Sequence, residues 1–538
     1  MRSKLNQPWV EATVVLVLYL LALSYGLKPL DDTDLGGHIA AGLWMLDTHH
    51  LPALDPFGAQ GNYWLCYSWL AELPMGIAYK LGAFAAVKLL KVLFVLAMTA
   101  SLIWLARSLH RRNQGGVAPY LGESLTMVAV VPLILPLCHL RPQVISFVFF
   151  ALLVALADRE QLRAKYLVPM TVIWASVHVY WLLVPLVVFV HEAVFPRAPD
   201  LRQRVRGSLL ALGYTLLAIV NPYTWRLYVG VWDYVFAHQA ADAIISELTP
   251  FAILQYQFFW LYAAIVLAAA VSFRSLLRRE RLGHLALFAA FAIATVNRFR
   301  YLPLFAIAAA PIVRTMLAAL AEQLSTPESV AERPRESLLR WVCSPAAALA
   351  FLVPALLLID AQPLLPRPYR ELFDVARRLQ RDYPLGAEGS VNVVTNASDG
   401  LWLILAFWLT RPPGASETHF KIAMDTRTLL MGQQRVREYD DLRQMKPDWP
   451  DILRAWNIGV VVLPSRATIL QALTSGRAAD ELGHWSVFTR TSLWTVLVRG
   501  RGTREVPDQP DSLSEADPGG ARRAFSTPLA MDLVRVVA

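Results

Sequence analysis

Residues 30–58 read LDDTDLGGHIAAGLWMLDTHHLPALDPFG, and residues 63–74 read YWLCYSWLAELP. They fill most of an acidic segment, 28–82, where Asp31, Asp32, Asp34, Asp47, Asp55 and Glu72 are set against only Lys28 and Lys80. Apolar blocks at 10–27 and 89–107 bracket the segment, each close to the ~20 residues a helix needs to cross a bilayer. An acidic loop between two such blocks marks an α-helical polytopic membrane protein. Within the loop, Ile39, Leu43, Met45 and Leu46 read as one amphipathic helix, and Trp64, Trp69, Leu70 and Leu73 as another. Apolar faces of this kind with aromatic residues are expected at interfacial depth.

Composition agrees. Of 538 residues, 56% are hydrophobic and 17% charged, whereas a soluble domain carries about 25% charged residues. The 50 Lys and Arg exceed the 41 Asp and Glu, but they sit in short stretches between apolar blocks. A nucleic-acid binder gathers its basic side chains on a water-facing surface, so no nucleic-acid partner is expected. Cys66, Cys138 and Cys343 show neither zinc nor disulfide spacing.

Eleven spans are expected, at 10–27, 89–107, 118–138, 144–157, 166–179, 180–195, 208–220, 258–273, 285–296, 302–320 and 341–359. The pair at 166–195 is read as two short helices hinged near His178, because Arg159, Arg163 and Lys165 precede it and Arg197, Arg202, Arg204 and Arg206 follow it. Basic loops belong in the cytoplasm. With Arg2 and Lys4 at the N-terminus, eleven spans leave the C-terminal region outside. The first apolar run lacks a small-residue cleavage site, so it reads as a span and not as a signal peptide. The expected domains are a membrane domain, 1–360, an extracytoplasmic α/β domain, 361–500, and a loosely ordered tail, 501–538.

With that topology the polar residues that are costly in a membrane collect on the outer side. Asp32-Thr33-Asp34, followed by Gly36, Gly37 and His38, is the sharpest group. Two carboxylates two residues apart can hold a divalent cation or tune one another into a general base. The competing reading makes Asp34 the N-cap of the helix that follows. Arg141, His178, Asn221, Glu247, Arg298 and Arg300 occupy other outer turns, where each alone reads equally as a headgroup anchor or a bundle residue. Lys88 and Lys91, at the outer end of the second span, suit a lipid phosphate or simple snorkelling. Trp402, Trp408, Trp449 and Trp456 suit either sugar stacking or core packing.

The quoted stretch resembles the first outer loop of a bacterial family of GT-C class integral-membrane glycosyltransferases, in which a DxDxWWH-like segment leads a helix and an Asp-Pro-Phe turn and a Trp-Leu-x-Glu helix follow. Asp32, Asp34, His38, Gly42, Asp55, Pro56, Phe57, Trp64, Trp69, Leu70 and Glu72 occupy the matching positions. Arg141-Pro142-Gln143, Trp174-Ala175, His178, Asn221-Pro222-Tyr223, Glu247 and NRFRYLPLFAIAAAP from Asn297 extend the likeness over most of the membrane region, and Asp425 to Arg427 is similar to an Asp-x-Arg turn. Gly36 and Gly37 replace the paired aromatics, and Val179 and Tyr180 follow His178 where small residues are common.

The resemblance implies a GT-C-like fold in a membrane, the bacterial inner membrane, and transfer of a sugar from a polyprenyl-phosphate carrier to an extracytoplasmic acceptor. In that chemistry Asp34 is the expected base, with Asp32 supporting it. Arg298, Arg300 and Arg141 would stabilise the departing phosphate, and His178, Glu247, Lys88 and Lys91 would line the carrier site. A magnesium or manganese ion would fall to Asp32, Asp34 and Glu247. Attack at the anomeric carbon inverts it without a second carboxylate nucleophile. A transporter, a lipid-linked glycan polymerase or ligase, and a catalytically silent subunit of the same fold are the alternatives. The two glycines keep the last one open.

Overall fold

The computed structural model describes residues 8–109, 119–196, 200–236, 249–250, 252–279, 282–323, 351–359, 362–383, 389–475 and 482–500. Glu247 and the tail 501–538 lie outside them. The chain forms two compact units. One comprises Met1–Lys28, Leu89–Val231 and Ile245–Ile359; the other comprises Pro29–Lys88, Trp232–Ile244 and Asp360–Ala538.

The first unit is helical. Among the described residues, three helices are long and apolar enough to cross a membrane, Trp9–Gly26, Trp69–Ser108 and Phe299–Leu320. The expected spans at 144–157, 258–273 and 285–296 correspond to helices of 17, 13 and 16 residues, Pro142–Asp158, Phe259–Val271 and Leu282–Asn297. Eleven helices of crossing length are therefore not found among the described residues. The hinge expected near His178 is present: one helix ends at Ala175, His178 is extended, and a tight turn runs from Val179 to Leu182. Asn221 braces this break, donating to the Ala175 carbonyl at 2.9 Å and to Ser176 Oγ at 3.2 Å. Two buried carboxylates inside the bundle share an arginine, as low polarity favours. Arg107 Nε lies 3.0 Å from Glu11 Oε1 and 3.7 Å from Glu123 Oε2.

The second unit joins the acidic loop to the C-terminal region. Its elements are α1 (Leu35–Thr48), α2 (Trp69–Ser108, which continues into the helical unit), α3 (Arg367–Asp382), β1 (Val391–Val394), α4 (Ala397–Thr410), β2 (Phe420–Ile422), α5 (Thr428–Arg443), α6 (Trp449–Ala455), β3 (Ile458–Pro464), α7 (Thr468–Thr474), β4 (Trp485–Arg490) and β5 (Trp494–Arg499). The sheet order is β2-β1-β3-β5-β4. β1 runs parallel to β2 and β3, while β5 is antiparallel to both β3 and β4. Val and Ile dominate β1 and β3, as parallel strands covered on both faces require.

Residues of the acidic loop extend this sheet beyond β2. The Ile422 N–H donates to the Phe57 carbonyl and the Ala59 N–H to the Ile422 carbonyl, both at 3.0 Å, so Gly58 pairs with Ile422. Gly58 lies within a short loop closed by an antiparallel bridge between Leu54 and Tyr63. An otherwise open strand edge is thus covered within the chain.

Helix α4 is apolar nearly all round, with Trp402, Leu403, Leu405 and Ala406 fully buried. That pattern belongs to a helix with protein on every side. One of its partners is α1, whose Ile39, Leu43 and Met45 are buried. Its apolar face has a protein partner. The second expected amphipathic helix is also present: Trp69, Leu70 and Leu73 open α2, in which helical segments 69–81 and 84–108 meet at a kink at Gly82 and Ala83. Ala83 takes a φ of 49°, a left-handed conformation that costs a side-chain-bearing residue energy.

Candidate functional site

Asp32-Thr33-Asp34 forms the turn that opens α1. Asp32 is buried, and its Oδ1 accepts the Asp34 N–H at 2.8 Å, closing an Asx turn. Asp34 has helical backbone angles and no side-chain capping bond, which removes the N-cap reading. Its half-buried carboxylate instead accepts the Thr426 hydroxyl at 2.6 Å, across 392 positions of sequence. The Trp402 indole donates to the Asp32 carbonyl at 2.8 Å, and its ring stacks on Tyr369 at 4.5 Å. Tyr369 in turn donates to the Asp31 carbonyl at 3.3 Å. The Asp pair is therefore gripped from α3, α4 and the turn after β2.

Gly36 and Gly37 make that grip possible. A Cβ on Gly36 would stand 2.6 Å from the Leu401 carbonyl oxygen and 2.7 Å from Trp402 Cα, both backbone atoms of α4. On Gly37 it would meet only the Leu401 side chain, at 2.8 Å. Aromatic side chains at these positions would exclude α4 from its present seat.

One turn further along α1, His38 Nδ1 donates to Glu72 Oε1 at 2.9 Å. Glu72 is buried and also accepts from Ser68 Oγ and Cys66 Sγ, each at 2.8 Å. Burial alone would depress the His38 pKa, but the hydrogen bond and charge of Glu72, with Asp34 and Asp32 adding to them, raise it above the ordinary 6.5. Burial first, then Glu72, pushes the Cys66 thiol far up, which makes it a packing residue and not a nucleophile.

The third cluster centres on Arg427. Its guanidinium forks onto Asp55, with Nη1–Oδ1 and Nη2–Oδ2 both 3.0 Å, and reaches Asp425 Oδ2 through Nη2 at 2.7 Å. The Trp64 ring centroid lies 4.9 Å from the guanidinium carbon. Burial would lower the Arg427 pKa, yet Asp425 and Asp55 hold it above its ordinary value. The backbone N–H of Arg427 also donates to Asp425 Oδ1 at 2.8 Å, which folds 425–427 into a tight turn. Among the described residues, no three His, Cys, Asp or Glu side chains are arranged to hold a metal ion.

The remaining candidates take these places. Lys88 is buried in the second unit and donates to the Gln362 carbonyl at 3.1 Å. Lys91 is buried in the helical unit and donates to the Lys28 carbonyl at 3.3 Å. Neither snorkels. Also in the helical unit, Arg141 is extended just before the helix that begins at Pro142, and Arg298 is extended before the turn Phe299–Tyr301 that contains Arg300. His178 is buried, with its ring 4.4 Å from that of Tyr180. The expected binding residues thus divide between the units, with Asp32 and Asp34 brought together in one. Glu72, Thr426 and Arg427 were not among them, and Trp402, read as stacking on sugars or packing in the core, grips the Asp32 carbonyl. Charge balance was the available signal for Arg427, since an acidic loop that packs against protein needs a buried cation.

No protein-family model matches the chain, and no curated protein is significantly similar in sequence. Solved structures do match. The oligosaccharyltransferase AglB from Archaeoglobus fulgidus, in complex with an inhibitory peptide and a dolichol-phosphate, aligns over 88% of this chain and 70% of its own, with a TM-score of 0.54 and 13% identity. The same organism's oligosaccharyltransferase tethered to an acceptor peptide aligns over 89% and 72%, with a TM-score of 0.53 and 13% identity. ArnT from Cupriavidus metallidurans aligns over 92% and 98% at 15% identity, with a TM-score of 0.44 that is too low to bear on the fold. The chain shares the GT-C fold of the oligosaccharyltransferase.

Proposed function

We propose that the chain is an inverting glycosyltransferase that moves a sugar from a polyprenyl-phosphate carrier to an extracytoplasmic acceptor. One observation carries the reading. A half-buried carboxylate, Asp34, is held by Thr426 at the start of α1 within a GT-C fold, and it is not used as a helix cap. The solved oligosaccharyltransferase was captured with dolichol-phosphate, a carrier of the class this reading requires, and in a second structure with a tethered acceptor peptide.

In the proposed step the acceptor hydroxyl oxygen attacks the anomeric carbon and its proton passes to Asp34. The carbon–oxygen bond to phosphate breaks, and polyprenyl phosphate leaves with the electron pair. Asp32 holds the turn that presents Asp34. Charge on the leaving phosphate is stabilised by cationic groups, a role we assign to Arg141, Arg298 and Arg300. His178, Glu247, Lys88 and Lys91 belong to the carrier site in this proposal, with the two lysines acting from buried positions. A magnesium or manganese ion would find two carboxylates in Asp32 and Asp34, and it takes such sites when water and phosphate complete its shell. Bound there, it would supply Lewis-acid stabilisation of the phosphate. The proposed setting is a bacterial inner membrane with a cytoplasmic N-terminus and an extracytoplasmic C-terminal region.

The test is Asp34→Asn in membranes supplied with polyprenyl-phosphate-linked sugars. Transfer is expected to fall at least a hundredfold, as loss of a general base implies. Wild-type turnover by a correctly inserted variant would overturn the assignment.

A further inference from the structure

We propose that Thr426 is a positioning residue for the reaction, setting the direction of the Asp34 carboxylate through its hydroxyl. The inference rests on the reading of Asp34 as the base. A carboxylate's terminal torsion is broad, so an Asp side chain on a turn does not by itself define where its oxygens point. A donor fixed on one oxygen sets the other.

Thr426 Oγ1 donates to Asp34 Oδ1 at 2.6 Å, while Thr33, the neighbour in sequence, stands 3.5 Å from the same oxygen. The first distance is a strong charge-assisted bond and the second lies at the limit of one. Thr426 is also held on both sides. Before it, Asp425 is fully buried and packs against Gly400, where an added Cβ would come within 3.0 Å of Asp425 Cβ and 2.9 Å of the Met424 carbonyl oxygen. After it, Arg427 binds Asp425 and Asp55 together through its guanidinium. A β-branched side chain on a backbone so fixed has few rotamers, which makes its hydroxyl a stationary donor. The ion-pair cluster thus acts on Asp34 through Thr426. This gives the Asp425-Thr426-Arg427 turn a task beyond stability.

The experiment uses full-length protein in membranes of its own host lacking the native gene, with a panel of undecaprenyl-phosphate-linked tritiated hexoses and pentoses as donors. Thr426→Val keeps the shape and removes the donor. It is expected to lower kcat about tenfold with KM for the lipid donor unchanged, the size expected for losing a hydrogen bond to a charged group. Thr426→Ser should recover kcat to within about twofold, because the donor returns. In the Asp34→Asn background, adding Thr426→Val should alter the residual rate by less than about twofold, since coupled residues are not additive. An unchanged kcat in Thr426→Val, or an equal fall in both backgrounds, overturns the inference. Should Asp34→Asn itself turn over normally, the base reading fails and this one with it. An inactive Asp34→Asn beside a normal Thr426→Val overturns the positioning role alone.

Discussion

Replacing Arg427 by Met removes the one side chain that neutralises two buried carboxylates. The Asp425 side chain is 0% exposed and that of Asp55 is 2%. Without the guanidinium, Asp55 keeps the Phe57 N–H at 3.1 Å, and Asp425 keeps the backbone N–H of position 427. Neither contact balances a charge. Deleting one partner of a buried ion pair costs about 3–5 kcal/mol, because the remaining charge stays desolvated and unpaired. At about 2–4 °C per kcal/mol for a domain of this size, the unfolding midpoint of the detergent-solubilised protein should fall by about 6–20 °C. The same logic predicts rescue. Arg427→Met combined with Asp55→Asn and Asp425→Asn leaves no buried charge and should regain most of the loss, since removing every charged member of such a cluster is far cheaper than removing one. The assay is thermal unfolding followed by tryptophan fluorescence, which Trp64 beside the cluster should report. A single variant within about 2 °C of wild type, or a triple variant no better than the single, would refute the reasoning.

Two further outcomes are expected. Gly36→Ala should destabilise by about 1–3 kcal/mol in denaturant unfolding because its Cβ meets α4 backbone, whereas Gly37→Ala should be near neutral, as a flexible Leu401 side chain yields and helix propensity gains about 1 kcal/mol; equal effects would contradict the close approach of α4. His38 binds its proton more tightly folded than unfolded, so the stability it lends is complete below its ordinary 6.5 and is lost as pH rises through the raised folded value. His38→Gln should flatten the pH dependence of the unfolding midpoint above 6.5, and an unaltered slope would show that the pair with Glu72 does not carry it.

What the sequence disclosed follows from how far apart the cooperating residues lie. The Asp pair, the hinge at His178 and the α/β character of the C-terminal region rest on local spacing, and spacing is visible in one dimension. Asp55 and Arg427 are 372 positions apart, and Asp34 and Thr426 are 392 apart, so the site's cross-links left no local pattern. Periodicity finds the apolar face of α1 but does not name the helix that packs on it. An amphipathic helix beside a membrane and one beside a buried helix have the same moment, and the sequence of α1 does not distinguish lipid from α4. The end of the acidic loop at residue 82 was legible, because the kink at Gly82 and Ala83 falls there. Trp69–Ser108 is two helical segments, 69–81 and 84–108, joined at that kink.

Gly36 and Gly37 show how one substitution pattern supports opposite conclusions until its neighbours are known. Read alone, two glycines where a related motif carries aromatic rings suggest a site that has decayed. In the structure they admit α4, which brings Trp402 onto the Asp32 carbonyl and stacks it against Tyr369. A ring is present beside the Asp pair after all, donated by another helix, and the rings expected at 36 and 37 would displace it. Helical glycines cost about 1 kcal/mol each relative to alanine. Here that cost is offset only by a packing that holds the turn containing Asp32 and Asp34. The two glycines thus have a packing role in the turn, which is the same for an active and for a silent site.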